Sequence, residues 1–359
     1  EICPKVPTSM SWIWAMVLNH KKDGFKLFDR MQRINLKHSI QYILITFVVP
    51  FGICFSQQEP QYTQYMYNIG SFNPAYVGTV ENPDVSGLYR AQWVDVPGAP
   101  TTLRFGVNVP FANEKTGLGL NVINDALGPS DQTFITVSYS YQVNISDEAK
   151  LSFGLSGGGS LLNLDFSEGT FNNPNDPATT GETINNFYPV VGAGVFVYQD
   201  NWYSGLSVPN VLTNGLYNDE VATVVEDNLQ FSLIGGYIFD ISERTRFKPA
   251  FLVNYLEGAP VTVNISANFQ FLDAFTAGAA YRFDNAVSAL AGFQISSGLF
   301  LGYTYDYNTN GFGEFNGGSH EAILKFYIGR GGSGQRNKSG KRNKLPKGKP
   351  KQIDSPRFF

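Results

Sequence analysis

Histidine and cysteine are where metal binding or nucleophilic catalysis would start, and this chain has few of either. There are 2 cysteines, Cys3 and Cys54, and 3 histidines, His20, His38 and His320. Residues 31–56 carry a basic head at Arg33 and Lys37, then an apolar run from Ile40 to Ile53, closing on Cys54-Phe55-Ser56. That layout is a secretory signal peptide cut after Ser56. The run is too short and too interrupted for a spanning helix. A lipoprotein cut before Cys54 is the alternative, which Phe51-Gly52-Ile53 fits poorly. Residues 1–30 read as lying upstream of the natural start, with an amphipathic N-terminal extension as the other possibility. Without the leader no cysteine remains and His320 is the single histidine. Disulfides, thiolate zinc sites and Cys/His catalysis are excluded, and no cofactor is implied.

The remaining chemical candidates are weak. His320 stands between Ser319 and Glu321 and could act as a base, but the triple also opens a strand pattern. Asp165, Glu168 and Asp176 lie in an Asn/Asp/Gly/Pro-rich stretch, 164–186, where calcium is conceivable. Their spacing does not match an EF-hand loop, and a solvated outer loop is the plainer reading. Gly157-Gly158-Gly159 sits inside a strand pattern, where glycine serves bends and close packing. No phosphate-binding, zincin or nucleophile-elbow motif is present. The chain reads as a non-enzyme.

What positions these residues is a long series of strands. Val261, Val263, Ile265, Ala267, Phe269 and Phe271 alternate with Thr262, Asn264, Ser266, Asn268 and Gln270. The same period of two recurs from about Val85 to Ile328. Segments of about ten residues, with an aromatic-rich apolar face and a Gly/Ser/Asn/Thr face, suit a tilted bilayer crossing. The expected fold is all-β, a transmembrane antiparallel β-barrel of about 14 strands with a polar lumen. The strands fall near 85–94, 101–110, 117–124, 131–143, 150–163, 187–198, 201–209, 226–239, 246–254, 260–270, 275–283, 286–295, 299–307 and 319–328. The longest connectors, 164–186, 210–225 and 308–318, all follow odd strands, and connectors after even strands are short. Outer-membrane barrels have short periplasmic turns and long outer loops. The expectation is therefore an integral outer-membrane protein with both termini periplasmic.

Charge divides the chain into parts: net +4 over 1–56, −16 over 57–330 and +8 over 331–359. Such asymmetry marks separate parts with separate partners. Residues 57–84 form an N-terminal periplasmic arm of aromatics and amides that could plug or line the barrel, 85–330. Residues 331–359 form a basic periplasmic tail with the composition of a disordered segment. Its last residues, Pro356, Arg357, Phe358 and Phe359, would leave two aromatics in water, so docking into a partner is expected.

The arm begins Gln57-Gln-Glu-Pro-Gln-Tyr-Thr-Gln-Tyr-Met and continues to Asn73-Pro-Ala-Tyr-Val-Gly78. Tyr303-Thr-Tyr-Asp-Tyr307 and Gly318-Ser-His-Glu321 stand near the other end. These runs resemble the PorP/SprF family of type IX secretion system membrane proteins over about 57–359. The resemblance marks Gln61, Tyr62, Gln64, Tyr65, Asn73, Pro74, Tyr76, His320 and Glu321 as motif or partner-contact residues. It implies an outer-membrane component of type IX secretion or gliding motility, supporting export or surface anchoring of cargo such as adhesins. Implied partners are secreted cargo, periplasmic ring or peptidoglycan-binding components, and outer-membrane lipid. Nucleic acid is excluded by compartment. The rival reading is a transport barrel for small apolar molecules.

Overall fold

A computed structural model describes residues 61–165, 184–212 and 229–329. The leader, the tail with Pro356–Phe359, and the calcium candidates Glu168 and Asp176 lie outside these residues.

The wall is built from β1 (Asp84–Ala91), β2 (Thr101–Pro110), β3 (Thr116–Leu127), β4 (Ser130–Asn144) and β5 (Lys150–Leu164). It continues through β6 (Ile184–Tyr198), β7 (Trp202–Val208), β8 (Gln230–Tyr237), β9 (Phe239–Ser242) and β10 (Thr245–Leu256). It finishes with β11 (Thr262–Phe271), β12 (Phe275–Arg282), β13 (Ala286–Ser296), β14 (Leu299–Asn308) and β15 (Ser319–Tyr327). Sequence neighbours pair antiparallel, except that β8 and β9 do not pair with each other and both pair with β10. β1 pairs with β15, from Asp84 opposite Tyr327 to Ala91 opposite His320, and this closes the ring. Closure pairs both edges of every strand except the four-residue β9, which pairs with β10 alone, and so leaves little of the open edge that a hydrocarbon environment would penalise.

Counting β8 and β9 as one interrupted strand, the barrel has 14 strands. The interruption differs from the unbroken eighth strand expected from the sequence. β8 and β9 both pair with β10, where Pro249 stands beside the gap. Proline has no N–H to give to a ladder. The register sets Tyr237 opposite Pro249, while the backbone N–H of Ile238 points the other way and continues the β7–β8 ladder to the carbonyl of Asn201, at 2.7 Å.

Burial follows the period of two, but with the polar face inside. Thr102, Ser140, Ser152, Asn268, Thr304 and Asp306 are buried, while Leu103, Phe105, Leu155 and Phe187 point outward, Leu155 at 65 % exposure. A water-soluble sheet would hide the second set. The apolar outside is the surface a bilayer covers. Two aromatic belts edge it. At the rim of short connectors, Tyr237, Phe239, Phe247, Phe269, Phe271, Phe275 and Phe293 succeed one another with ring centroids 4.4–6.4 Å apart. Toward the long-loop rim, Tyr281 meets Phe283 and Tyr305 meets His320. Such belts mark the two membrane interfaces.

The buried apolar cluster does not lie between sheets. It lies inside the barrel, where Tyr62, Tyr65, Met66, Ile69, Phe72 and Tyr76 of the arm meet Leu88, Phe196, Ile234, Leu252, Phe300 and Ile323 of the wall. The described arm is thus a luminal plug, and plugging, one of the two roles open to it, is the one seen. It has neither strand nor long-helix period. It folds as short turns, Tyr65–Tyr67, Ile69–Phe72 and Pro74–Tyr76, and several of its polar groups bond the inner wall.

Candidate functional site

The arm is fixed at three levels. The first is a charged clamp near the long-loop rim. Arg90 lies near the end of β1, Asp306 near the end of β14, Arg282 ends β12 and Glu321 lies near the start of β15, all on inward positions. The Arg90 Nη1 lies 2.8 Å from the Asp306 carboxylate and 3.0 Å from that of Glu321. Thr63 sits between them. Its hydroxyl donates to the Asp306 carboxylate at 2.8 Å and accepts from Arg282 at 3.3 Å. Glu321 accepts the backbone N–H groups of Thr63, at 2.9 Å, and Gln64, at 2.8 Å. The Gln64 side-chain amide donates to the Glu321 carbonyl at 3.2 Å. Two guanidinium and two carboxylate groups balance, so the charges can be buried together.

The second level is mid-lumen. The Tyr65 hydroxyl donates to the Ala250 carbonyl at 2.9 Å and stands 2.9 Å from the Ser266 hydroxyl. Tyr62 packs edge-on against Phe72 at 5.8 Å. The Lys325 ammonium reaches the Tyr67 carbonyl at 3.2 Å.

The third level is near the short-connector rim. The Asn73 side chain accepts from the Ala75 N–H at 2.9 Å, capping the turn that Pro74 begins. Its amide donates to the Val195 carbonyl at 3.0 Å. Tyr76 packs edge-on against Phe196 at 5.6 Å. Gly78 donates to Asn108 at 2.7 Å and accepts from the Gln142 amide at 2.7 Å. Gly78 has φ +72, and a Cβ on it would strike the backbone of Gly117, so glycine is required on both counts. The arm therefore runs from the long-loop end of the lumen to the short-connector end, where β1 starts.

The structure brings together most of the motif residues singled out by sequence. Tyr62, Gln64, Tyr65, Asn73, Pro74, Tyr76 and Glu321 all serve the plug, and Gln61 is half-buried at its start. His320 does not join them. It points outward, with its Nδ1 2.6 Å from the Tyr303 hydroxyl, while Glu321 beside it points inward. Of the clamp partners, Thr63 and Asp306 stand inside the quoted motif runs without being singled out, and Arg90 and Arg282 were not marked by sequence. The signal of the two arginines was present as charge on inward positions of alternating strands. Among the described residues, no group of three His, Cys, Asp or Glu is placed to hold a metal ion.

A family model described as "Type IX secretion system membrane protein PorP/SprF" matches residues 54–326. No relative among curated proteins is matched. Similar solved structures share 8 to 13 % identity with the chain. Acinetobacter baumannii Omp33 has a TM-score of 0.42 at 8 % identity, covering 69 % of this chain and 98 % of that one. The Ralstonia pickettii toluene transporter TbuX has a TM-score of 0.44 at 9 % identity, covering 74 % and 93 %. A Pseudomonas aeruginosa FadL homologue has a TM-score of 0.39 at 13 % identity, covering 71 % and 92 %.

Proposed function

The chain belongs to the PorP/SprF family of type IX secretion system membrane proteins, and on that premise we propose that it anchors secreted cargo, such as an adhesin, at the cell surface. It is an outer-membrane barrel of the secretion system and acts without catalysis. The observation that carries the anchoring reading is the plugged lumen. The arm occupies it from Thr63 at one end to Gly78 at the other, bonded to the wall at each level. A transport barrel needs a continuous path, and this lumen is filled by the chain's own motif residues. A filled barrel is a rigid platform whose rims are free for partners.

With the short connectors in the periplasm, β15 delivers the basic tail there. The tail suits an acidic periplasmic partner among the ring or peptidoglycan-binding components. Long loops on an acidic body face the outside, where cargo arrives. Crosslinking in intact cells, then purification of the barrel, tests the reading. Recovery of one secreted polypeptide together with periplasmic secretion components supports it. A deletion strain that keeps every surface polypeptide in place overturns it.

A further inference from the structure

The two ends of the plug differ in charge. At the long-loop end Arg90 and Arg282 meet Asp306 and Glu321, two against two. Toward the short-connector end Arg104 of β2 and Lys325 of β15 meet one carboxylate, Asp84 of β1, and all three are buried. Asp84 lies 3.8 Å from the Lys325 ammonium and accepts from the Asn108 amide at 3.3 Å. Arg104 is held by neutral groups instead. Its Nε donates to Asn121 at 2.7 Å and its Nη1 to Ser86 at 2.8 Å. Its Nη2 has no hydrogen-bond partner among the described residues, and no carboxylate among them lies within ion-pair distance of the guanidinium. A Cβ on Gly106 would strike that nitrogen, so the glycine makes the room in which the guanidinium lies. One positive charge is thus left over inside the lumen, and a buried charge without a counter-charge is costly.

A cavity stands at this point. Arg104, Lys325 and Asp84 line it from the wall, and Asn68, Tyr76 and Val77 line it from the arm. The Asn68 side chain is buried and its Nδ2 has no acceptor, while its Oδ1 takes the Ser71 hydroxyl at 2.6 Å. The open volume is about 20 Å³, on the order of one to two waters at ~10–15 Å³ each. Phosphate, sulfate and carboxylate ligands are too large for it, and a monatomic ion is not. Water there would answer the hydrogen bonds and leave the charge, whereas an anion answers both. We infer that the cavity holds a single monatomic anion, chloride, between Arg104 of the wall and the turn at Asn68. The ion ties the arm to β1, β2 and β15, at the end of the lumen opposite the charged clamp.

Purified full-length barrel is refolded in gluconate salts, whose anion is too large for the space. Chloride is then titrated in at constant ionic strength, and the half-time of heat unfolding is read from heat-modifiable migration. The half-time should lengthen severalfold and saturate. Arg104→Met removes the excess charge and should abolish the response. Asp84→Asn keeps the shape and adds one uncompensated charge, so it should lower the chloride concentration of half-effect at least tenfold. It decides the matter if Arg104→Met does not fold. Crystals grown with bromide in place of chloride locate the ion by anomalous scattering, expected beside Arg104 and absent in Arg104→Met. No chloride response, or an equal one in folded Arg104→Met, overturns the inference. An unchanged or higher half-effect concentration in Asp84→Asn does the same. Bromide at the site without a chloride response in solution would be an adventitious ion only, and no bromide at the site would leave water as the occupant; either result overturns it.

Discussion

Glu321 accepts the backbone N–H of Gln64 at 2.8 Å across 257 residues of sequence, so the last strand of the barrel holds the start of its plug. The same carboxylate meets Arg90 of the first strand, at 3.0 Å. The clamp therefore joins three things at once: the plug, the closing β1–β15 seam and, through Asp306, the neighbouring β14. A pair this deep is costly to break singly, because the surviving partner stays buried and uncompensated, at ~3–5 kcal/mol. Glu321→Ala is expected to free the arm while the wall remains closed. The probe is Gln61→Cys, labelled with a membrane-impermeant maleimide. The cysteine should react at least tenfold faster when Glu321→Ala is added to it. Unchanged labelling would show that the clamp does not hold the arm.

His320 and Glu321 make a contrasting pair on one strand. His320 faces the outer belt and bonds Tyr303, so His320→Phe preserves an aromatic at the interface and removes only that bond. The expectation is unaltered surface retention of cargo in His320→Phe and reduced retention in Glu321→Ala, measured on the same cells. A loss in the histidine variant equal to that in the glutamate variant would point to a role that an outward ring does not explain.

Much of the wall was legible because a strand writes its two faces into its own sequence. The alternation through Val261–Phe271 sets a strand at 260–270, within two residues of β11 (Thr262–Phe271). Connector lengths are then set by where the alternation stops. The break at Ile238 was not legible from its own strand, since its cause, Pro249, lies on the partner. The plug was recognisable as special from its residues but not by its route. Its turns are shorter than any period, and its bonds go to residues such as Ser266 and Asp306, 201 and 243 positions away. For the same reason Glu321 could be named and Arg90 could not: the motif contains one half of the pair, and only the closed barrel supplies the other.

The plug also predicts electrical behaviour. A Cβ at Gly154 would collide with the backbone of Ala75, so Gly154→Val cannot coexist with the seated arm. Parent barrels in planar bilayers should show little steady conductance. Gly154→Val, and separately a chain lacking 57–80, should open to stable steps typical of a polar-lined pore. Two variants reaching the same state by different routes guard against misfolding of either. Equal conductance in parent and variants would mean that the arm does not seal the lumen.

The inverted burial pattern can be tested in lipid. Leu155 is in the middle of β5 (Lys150–Leu164) on the outer face, and Ser152 on the same strand faces in. An arginine on the lipid face near the bilayer midplane costs ~2–4 kcal/mol, whereas the lumen tolerates polar groups. Leu155→Arg is expected to lower the barrel's unfolding free energy in lipid by that amount, and Ser152→Asn by far less. Denaturant titration of refolded vesicle samples distinguishes them. A reversed order would place the membrane on the wrong side of the wall.

The basic tail carries +8 over 331–359, against −16 for residues 57–330. β15 ends at Tyr327, on the short-connector rim beside Asp84, so the tail leaves the barrel on the periplasmic side of the proposed arrangement. Ser355-Pro-Arg-Phe-Phe359 has the composition of a docking peptide: a cation between a rigid proline and two rings. Removal of 355–359 is expected to leave barrel abundance and heat-modifiable migration unchanged, since the described wall ends at Tyr327, while surface display of cargo falls severalfold. Neutralising the lysines of 341–351 should weaken display in a manner that tracks ionic strength, as screened electrostatic contacts do. Full display after removal of 355–359 would assign the tail no part in anchoring.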